Sequence, residues 1–359
     1  MKTMKAVRFH GPKDIRVDEI EEPVCKAGEV KLLNTYCGIC GSDLHEYTSG
    51  PVLIPKGPHN ITGAQVPVIL GHEFGGIVEE VGEGVTHLVP GQKAVVRPTI
   101  FDRKCPPCKL GYEYCCENIG FVGLSGYGGG FAQKISAPAE HFYAIPEHVS
   151  AESIALIEPL AVAWHAVNLS PFKDGMQGDN VLIVGGGPLG LSILQVLKMR
   201  GAKLTMVAEL MDSRKDSAQA FGATHVLDPR DTDIPSKVRE LTNGIGADVV
   251  FDTAGVEKAL DGAIGAVRVH GTIVNVAVWE KRPHIRVNEM MYQEVKYLGA
   301  ALYDEKSFRS VIEAISKGLL RPEGMITDRI GLSEIVERGF ETLMGGRDAH
   351  CKILVDPQA

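Results

Sequence analysis

Short, continuous apolar runs alternating with segments of helical periodicity dominate the chain from residue 180 to residue 300. Strands without a polar face are buried on both sides, which is typical of parallel sheets covered by helices on both faces. The pattern therefore predicts an α/β fold with a doubly wound parallel sheet. The six predicted strands comprise residues 181–184, 204–208, 224–227, 248–251, 272–276 and 295–298.

The chain on either side of this segment has a different pattern. Before residue 160, short apolar runs such as 29–33 are separated by turn residues, which is typical of antiparallel β structure. After residue 300, two helical patterns at 305–318 and 333–344 precede an apolar strand at 351–355. We therefore predict a β-rich domain at residues 1–160, an α/β domain inserted at 161–299, and a return segment at 300–359 that completes the β-rich domain.

The charge balance excludes some classes of partner. Lysine and arginine number 37 against 45 aspartate and glutamate residues, which gives a net charge of −8 without a basic block. Neither a nucleic acid nor an anionic membrane is therefore expected as a partner. No run approaches the ~18 apolar residues of a membrane span, and the first ten residues lack an apolar signal core.

The cysteines indicate metal sites. Six of the eight fall in two short windows, Cys37 with Cys40 and a group within residues 105–116. Such clusters in an intracellular protein are metal sites more often than disulfides. The sequence therefore predicts a cytoplasmic protein that acts on a small molecule.

A glycine-rich motif follows the first predicted strand of the α/β segment. Gly185, Gly187 and Gly190, with Pro188 and Leu189 between the last two, match the pattern G-x-G-x-x-G at the start of a predicted helix. The glycines permit a tight turn and a close approach of the backbone to a pyrophosphate, and the helix N-terminus offers free N–H groups to the phosphates. We therefore predict a dinucleotide-binding site.

The residues after the second strand indicate which dinucleotide is bound. Glu209 lies nineteen positions after Gly190, since 209 − 190 = 19. A carboxylate at this position accepts hydrogen bonds from ribose hydroxyls and repels a 2′-phosphate, so NAD is favoured over NADP. Arg214 is close enough in sequence to weaken the exclusion of NADP. The alternative interpretation is that Arg214 is a solvated residue on the surface of the next helix.

Residues of the β-rich segment offer ligands for a catalytic metal. A catalytic zinc ion is held by a few sulfur, nitrogen and oxygen ligands and keeps one position open. Cys40 and His72 are the two strongest candidates. The third candidate is the carboxylate of Glu158, which lies where the β-rich domain ends and the α/β domain begins. Glu73 is the competing carboxylate. It either lies next to the ligands without binding the metal or exchanges with Glu158 as a ligand.

Together these motifs resemble those of the zinc-dependent medium-chain dehydrogenases. The resemblance rests on the Gly-His-Glu segment at 71–73, the Cys40-x-Ser42-x-x-His45 arrangement and the glycine-rich turn, and it covers residues 5–357. Within that family the chain is similar to the 2,3-butanediol dehydrogenases. The segments that carry this similarity are 45–47, 50–55, 70–74 and 125–132, and the loop between residues 47 and 67 is of their length.

The resemblance implies a Rossmann domain inserted in a GroES-like β-rich catalytic domain. It implies an NAD-dependent oxidoreductase that interconverts 2,3-butanediol and acetoin by hydride transfer, with a zinc ion acting as a Lewis acid on the substrate oxygen. Ser42 and His45 match the family's proton relay, and imidazole suits that task because its ordinary pKa is near neutrality. A homodimer or homotetramer, formed through the sheet edge near residues 295–300, is implied as well.

The second cysteine cluster departs from the family pattern. The family's structural zinc lobe has the spacing C-x₂-C-x₂-C-x₇-C, and the first of these positions is Asp102 in this chain. A carboxylate can bind zinc, so Asp102, Cys105, Cys108 and Cys116 are expected to hold a second, structural zinc ion. The alternative is a metal-free loop with reactive thiols. Cys115 does not match any position of this spacing, so it is not expected to be a ligand.

Two other functions compete with the diol oxidoreductase. One is a different secondary alcohol or polyol dehydrogenase of the sorbitol or xylitol type, because a fold does not fix a substrate. The other is a non-catalytic dinucleotide-binding protein, which would need none of the metal ligands. Tyr47, Ile54 and Phe121 are candidates for the substrate pocket, with ordinary packing as the alternative for each.

Overall fold

The computed structural model describes residues 2–172, 180–345 and 350–359, and it divides the chain into two units. One unit comprises Met1–Glu158 with Phe308–Ala359, and the other comprises Pro159–Ser307. The predicted divisions follow residues 160 and 299. The second division of the structure lies inside a helix, Glu305–Ser316, where no change of composition marks a boundary.

Antiparallel strands form most of the first unit. β3 pairs with β5 and β9, β5 pairs with β6, and β6 pairs with β10, while β1 lies between β2 and β4 in a separate sheet and β7 pairs with β8. The elements up to residue 158 are β1 (Thr3–Gly11), β2 (Asp14–Glu21), β3 (Glu29–Gly38), α1 (Gly41–Ser49), β4 (Val68–Ile69), β5 (Glu73–Val81), β6 (Lys93–Val96), β7 (Thr99–Ile100), α2 (Pro106–Lys109), β8 (Gly120–Phe121), β9 (Lys134–Pro138), β10 (Phe142–Ile145) and α3 (Ala151–Ala155).

The second unit is a six-stranded sheet in which every pair is parallel. The strand order is β13-β12-β11-β14-β15-β16, so the chain reverses direction across the sheet after β13, and the predicted doubly wound fold is confirmed. Its elements are α4 (Ile157–Leu169), β11 (Asn180–Val184), α5 (Pro188–Met199), β12 (Leu204–Ala208), α6 (Asp212–Ala220), β13 (His225–Leu227), α7 (Ile234–Leu241), β14 (Ala247–Asp252), α8 (Glu257–Ala266), β15 (Val267–Asn275), α9 (Val287–Tyr292), β16 (Lys296–Gly299) and α10 (Glu305–Ser316).

The apolar character of these strands is explained by burial on both sides of the sheet. Leu182, Met206, Val250 and Ile273, from four adjacent strands, are fully buried in one cluster with residues of α7 and α8. Each such side chain contributes roughly 1.5–3 kcal/mol relative to an exposed one. The burial that the sequence pattern predicted is therefore what holds the helices on the sheet.

The last part of the chain returns to the first unit. β18 (Lys352–Asp356) lies between β3 and β17 (Ile326–Gly331), antiparallel to β3 and parallel to β17, and extends the main sheet. The predicted helix at 333–344 is a π-helix, Ile335–Glu341, followed by α11 (Thr342–Gly345). Within the described parts of the chain, no helix combines the length and the apolarity that a membrane crossing needs.

The pairing of β3 with β5 generates a testable prediction. A side chain at Gly76 would collide with the backbone oxygen of Leu33, whereas one at Gly57 would meet open space. We expect Gly76→Ala to lower the free energy of unfolding by roughly 1–3 kcal/mol, because the strands must move apart. Gly57→Ala is the matched control and should change it by less than about 0.5 kcal/mol. Urea midpoints measure both, and equal midpoints would contradict the predicted clash.

Candidate active site

Cys40, His72 and Glu73 lie together in the first unit. Each offers one ligand atom, and these atoms lie within 4.8 Å of one another. Cys40 is the residue before α1, while His72 and Glu73 stand at the start of β5, so the β3–β5 sheet and one helix fix all three. Cys40 is half-buried and the other two are buried. Sulfur, imidazole and carboxylate at this separation are a donor set that suits zinc.

A buried carboxylate, Asp43, holds two members of this group. Its Oδ2 accepts the backbone N–H of Cys40 at 2.9 Å, and its Oδ1 lies 3.6 Å from Nδ1 of His72. Metal-binding histidines usually direct the second ring nitrogen to such an acceptor, which fixes the ring. Sequence analysis missed Asp43, although an acidic residue three positions after a helix N-cap is the signal of a capping box.

The negative groups around His72 also favour a cation at this position. Burial lowers the pKa of His72, but the Asp43 carboxylate and the Cys40 sulfur outweigh it and hold the pKa well above its ordinary value. A metal ion can take the place of that proton, because ligands bind metals in their deprotonated form. The arrangement therefore fits a bound metal.

The relay candidates lie on the helix that begins at Cys40. Ser42 Oγ is 3.1 Å from Nε2 of His72, so the hydroxyl lies directly beside one of the candidate metal ligands. His45 lies three positions further along α1, so it shares a face of the helix with Ser42. Both side chains are partly exposed, which is a requirement for passing a proton to solvent.

Glu73 forms a buried ion pair with a residue near the end of the chain. Nζ of Lys352 donates to the two carboxylate oxygens at 2.9 and 2.6 Å and to the carbonyl oxygen of Ile39 at 3.0 Å. Gly38 leaves room for the carboxylate, since a side chain there would collide with it. Sequence analysis missed Lys352, although a lysine inside the apolar strand 351–355 was the available signal.

Glu158, the predicted third ligand, stands in the first turn of α4 and is buried. Among the residues that the structure describes, the group within 4.8 Å contains Glu73 and not Glu158. The role of Glu158 as a ligand thus stays a prediction. Cys37 is fully buried, and burial raises the pKa of its thiol well above the ordinary value, in keeping with a packing role.

The second predicted metal group is also brought together. Ligand atoms of Asp102, Cys105, Cys108 and Cys116 lie within 4.8 Å of one another, and Cys115 is exposed. Burial and the neighbouring sulfurs of Cys105 and Cys116 raise the pKa of Cys108 to about 12. Three thiols and a carboxylate at this separation again suit zinc, which stabilises thiolates that would otherwise be unfavourable.

The glycine-rich turn connects β11 with α5. Gly185 has a positive φ of 102°, Gly187 is the N-cap residue of α5, Pro188 and Leu189 begin the helix, and a side chain at Gly190 would collide with the Gly185 carbonyl. The turn therefore presents the backbone N–H groups at the start of α5 without side chains in front of them.

Glu209 and Arg214 both lie beside this turn. Oε2 of Glu209 accepts the N–H of Gly186 at 2.7 Å, and Oε1 accepts those of Leu210 and Met211 at 2.6 and 2.8 Å. A Cβ built on Gly187 would lie 3.6 Å from an η nitrogen of Arg214. The carboxylate is therefore oriented by the backbone, and the guanidinium lies where a phosphate could reach it.

The three candidate pocket residues are buried, and their place in a substrate pocket stays a prediction. Tyr47 stacks on Phe340 with ring centroids 5.3 Å apart, and Ile54 and Phe121 are buried.

The Lys352–Glu73 pair generates the second prediction. We expect Lys352→Met to lower the free energy of unfolding by roughly 3–5 kcal/mol, because it leaves a buried carboxylate without its cation. The double variant K352M/E73Q removes both charges and should recover most of that loss. Urea unfolding of the metal-loaded protein measures both. A double variant as unstable as K352M would show that the ion pair is not the source of the effect.

Two models of protein families match the chain. Residues 26–147 match the alcohol dehydrogenase GroES-like domain, and residues 188–317 match the zinc-binding dehydrogenase domain. These ranges hold the metal groups and the helix that follows the glycine-rich turn.

Relatives of known activity cover the whole chain. The (R,R)-butanediol dehydrogenase of Neisseria gonorrhoeae is 38% identical over 99% of both chains, and that of Bacillus subtilis is 39% identical over 99% of this chain and 100% of the relative. The crystal structure of 2R,3R-butanediol dehydrogenase from Bacillus subtilis superimposes with a TM-score of 0.92 and covers 99% of each chain.

Proposed function

We propose, from the premise that this chain belongs to the zinc-dependent medium-chain dehydrogenase family and is an oxidoreductase, that it interconverts 2,3-butanediol and acetoin with NAD. The observation that carries the proposal is the grouping of Cys40 and His72 beside Ser42, in a chain related over its whole length to butanediol dehydrogenases. A protein that only binds a dinucleotide has no use for that grouping.

Cys40 and His72 would hold the catalytic zinc ion, with the carboxylate of Glu158 as the third protein ligand. Bound zinc supplies Lewis acidity toward the oxygen of the substrate. Asp43 keeps the His72 ring oriented, and Lys352 keeps Glu73 beside the ligands, where it can replace Glu158. Alcohol dehydrogenase holds its catalytic zinc with two cysteines and one histidine. A carboxylate in place of the second cysteine distinguishes the polyol and butanediol branches of the family.

Oxidation of the diol separates a hydride from a proton. Bound NAD would supply the acceptor for the hydride that leaves the carbinol carbon, so the task left to the protein is to remove the proton of the substrate hydroxyl as that oxygen becomes a carbonyl oxygen. Ser42 would accept that proton and His45 would transfer it to solvent, since both lie on one face of α1. Reduction of acetoin follows the same path in reverse.

The glycine-rich turn would bind the pyrophosphate of the cofactor. The backbone N–H groups of Gly187, Leu189 and Gly190 would face the phosphates, since Pro188 has none to donate, and the carboxylate of Glu209 would accept from the adenosine ribose hydroxyls. Arg214 would contact the same region, with its guanidinium close to Gly187. The negative charge of Glu209 disfavours a 2′-phosphate, so NAD is the preferred cofactor.

Asp102, Cys105, Cys108 and Cys116 would hold a second zinc ion with a structural role. The four ligand atoms already lie close together. Burial raises the pKa of the Cys108 thiol, and a cation beside it would stabilise the thiolate, which supports this assignment.

The second unit would form the interface of a homodimer or homotetramer. β16 is an edge strand of the parallel sheet, and the segment of the chain that precedes it carries exposed apolar side chains. These are Val278, Ile285, Val287, Met291 and Tyr292. An edge strand and exposed apolar side chains favour pairing with a second copy. The clustered cysteines support a cytoplasmic location. The net charge of −8 supports a small-molecule substrate, with neither nucleic acid nor membrane as partner.

The metal and substrate assignments are tested together. The purified protein should contain about two zinc ions per chain and should reduce NAD faster with 2,3-butanediol than with sorbitol, threonine or simple secondary alcohols. Cys40→Ser should lose one zinc ion and the activity. Cys108→Ser should lose the other zinc ion. Cys115→Ser removes an exposed thiol of the same cluster, so it is the control and should retain both zinc ions.

Other outcomes separate the alternatives. A preference for sorbitol would support the polyol dehydrogenase, and turnover by Cys40→Ser would refute the metal assignment. Absence of zinc and of activity on every alcohol, after zinc is added back, would support the dinucleotide-binding protein.

The cofactor assignment yields a separate prediction. Glu209→Gln preserves the shape of the side chain and removes its charge, so the ratio of kcat/KM with NAD to that with NADP should fall about tenfold. Asp212→Asn removes the same charge from an exposed neighbour and is the control. An equal change in both variants would show that the net charge of the region, and not Glu209, sets the preference.

A further inference from the structure

Four charged side chains pair with one another next to the segment that carries Glu209. Nζ of Lys215 lies 2.6 Å from Oδ1 of Asp212 and 2.6 Å from Oδ2 of Asp228. Nε and Nη2 of Arg230 donate to the two carboxylate oxygens of Asp228 at 3.0 and 2.5 Å, and Nη2 also lies 3.2 Å from Oδ1 of Asp212. Two cations and two carboxylates are thus joined in one group without net charge.

This group lies at the edge of the sheet where the ribose of the cofactor is expected. β12 and β13 pair with Ala208 opposite Leu227, and the N–H of Glu209 donates to the carbonyl oxygen of Leu227 at 3.0 Å. Asp228 is the next residue, so Glu209 and Asp228 follow adjacent strands at the same level. Adjacent strands lie ~4.8 Å apart, and the carboxylate that follows the second strand of such a sheet binds the ribose.

Asp228 is the member of the group that solvent reaches least. Its side chain is 15% exposed, against 21% for Lys215, 55% for Arg230 and 81% for Asp212. Its hydrogen bonds with Arg230 and then with Lys215 hold the pKa of Asp228 well below its ordinary value, so it is ionised at neutral pH. An exposed charge is screened by water and salt. Asp228 therefore neutralises the two cations more effectively than Asp212 does.

A third cation, Arg214, is arranged differently. Its Nε is buried without a hydrogen-bond partner among the residues that the structure describes, and a Cβ built on Gly187 would lie 3.6 Å from one of its η nitrogens. Lys215 follows it on α6, so the two side chains leave the helix about 100° apart. Arg214 is therefore available to a phosphate at the glycine-rich turn, whereas Lys215 is bonded to Asp228.

The 2′-phosphate of NADP would require cations beside the ribose. It is the group that distinguishes NADP from NAD, and a phosphate carries a charge of about −2 that lysine and arginine bind well. Sites that accept NADP hold an arginine near the ribose for this purpose. Lys215 and Arg230 have the right chemistry and belong to the segments that follow β12 and β13, but Asp228 is bonded to both.

We propose that Asp228 is a specificity-determining residue for the cofactor: by pairing with Lys215 and Arg230, it prevents these two cations from attracting the 2′-phosphate of NADP. The exclusion of NADP then has two parts, the negative charge of Glu209 and the neutralisation of the neighbouring cations by Asp228. This inference rests on the proposed function, because it concerns the choice of cofactor at the same dinucleotide site.

Asp228→Asn removes the charge and keeps the local backbone structure, because its amide oxygen can still accept the N–H of Arg230 as the carboxylate does. The probes are adenosine 2′,5′-bisphosphate and 5′-AMP, which reproduce the adenosine half of each cofactor with and without the 2′-phosphate. Calorimetric titration of the full-length, zinc-loaded variant should show a Kd for the bisphosphate that is lower by roughly 3- to 10-fold. The Kd for 5′-AMP should change by less than about twofold.

Two controls assign the effect to the cations that Asp228 holds. Asp212→Asn removes the same charge from the same group, but Lys215 and Arg230 stay bonded to Asp228, so both Kd values should change by less than about twofold. The triple variant D228N/K215M/R230M removes the released cations and should bind the bisphosphate no more tightly than the unmodified protein does. The gain in D228N should also shrink as NaCl is raised, since salt screens exposed charges.

Three results would overturn the proposal. The first is an unchanged Kd for the bisphosphate in D228N. The second is an equal gain in Asp212→Asn, which would show that the net charge of the region sets the affinity. The third is a gain that persists in the triple variant, which would show that neither Lys215 nor Arg230 attracts the 2′-phosphate.

Failure of the proposed function would be visible separately, because these titrations need no alcohol and no turnover. A protein that binds 5′-AMP but does not oxidise 2,3-butanediol contradicts the proposed substrate, while D228N still supports or overturns the role of Asp228. An unmodified protein that binds the bisphosphate more tightly than 5′-AMP contradicts the NAD preference and this inference with it. Binding of neither nucleotide contradicts the dinucleotide site and likewise overturns the inference.

Discussion

The ion pair between Lys352 and Glu73 is the interaction on which the first unit depends. It joins the last strand of the chain to the strand that carries His72, and both partners are buried. Two charges in the interior are tolerated only as a pair, so the strand that begins at Lys352 must return before Glu73 can be buried. Ile39, one residue before Cys40, completes the contact through its carbonyl oxygen. The inserted α/β unit therefore separates two parts of the chain that are needed at one place.

Much of the fold could be predicted because burial leaves a pattern in the sequence. The central parallel strands are apolar on both faces, and the predicted runs at 204–208 and 181–184 differ from the observed strands by at most one residue. The second boundary between the units could not be found in the same way, since it lies inside α10, whose pattern is continuous. Lys352 interrupts an apolar strand, and a cation there required a buried partner that only the tertiary structure identifies.

The candidate site shows the same division between local and distant contacts. Cys40, His72 and the cysteine lobe could be predicted because the spacing of metal ligands is local or belongs to a known motif. The choice between Glu73 and Glu158 could not be made from the sequence, since both are carboxylates next to predicted site segments and only distances in the folded chain distinguish them. Asp43 was missed for another reason. Its role depends on the distance to His72, which the pairing of β3 with β5 sets.

The three backbone hydrogen bonds of Glu209 have a consequence for how this enzyme can evolve. The carboxylate that would face the ribose also accepts the N–H of Gly186 and those of Leu210 and Met211. A lineage that changes its cofactor by replacing this residue also loosens the turn that would receive the phosphates. A single replacement of Glu209 therefore shifts the preference between the cofactors at the expense of binding to both, and tight binding of NADP needs a compensating change elsewhere in the turn.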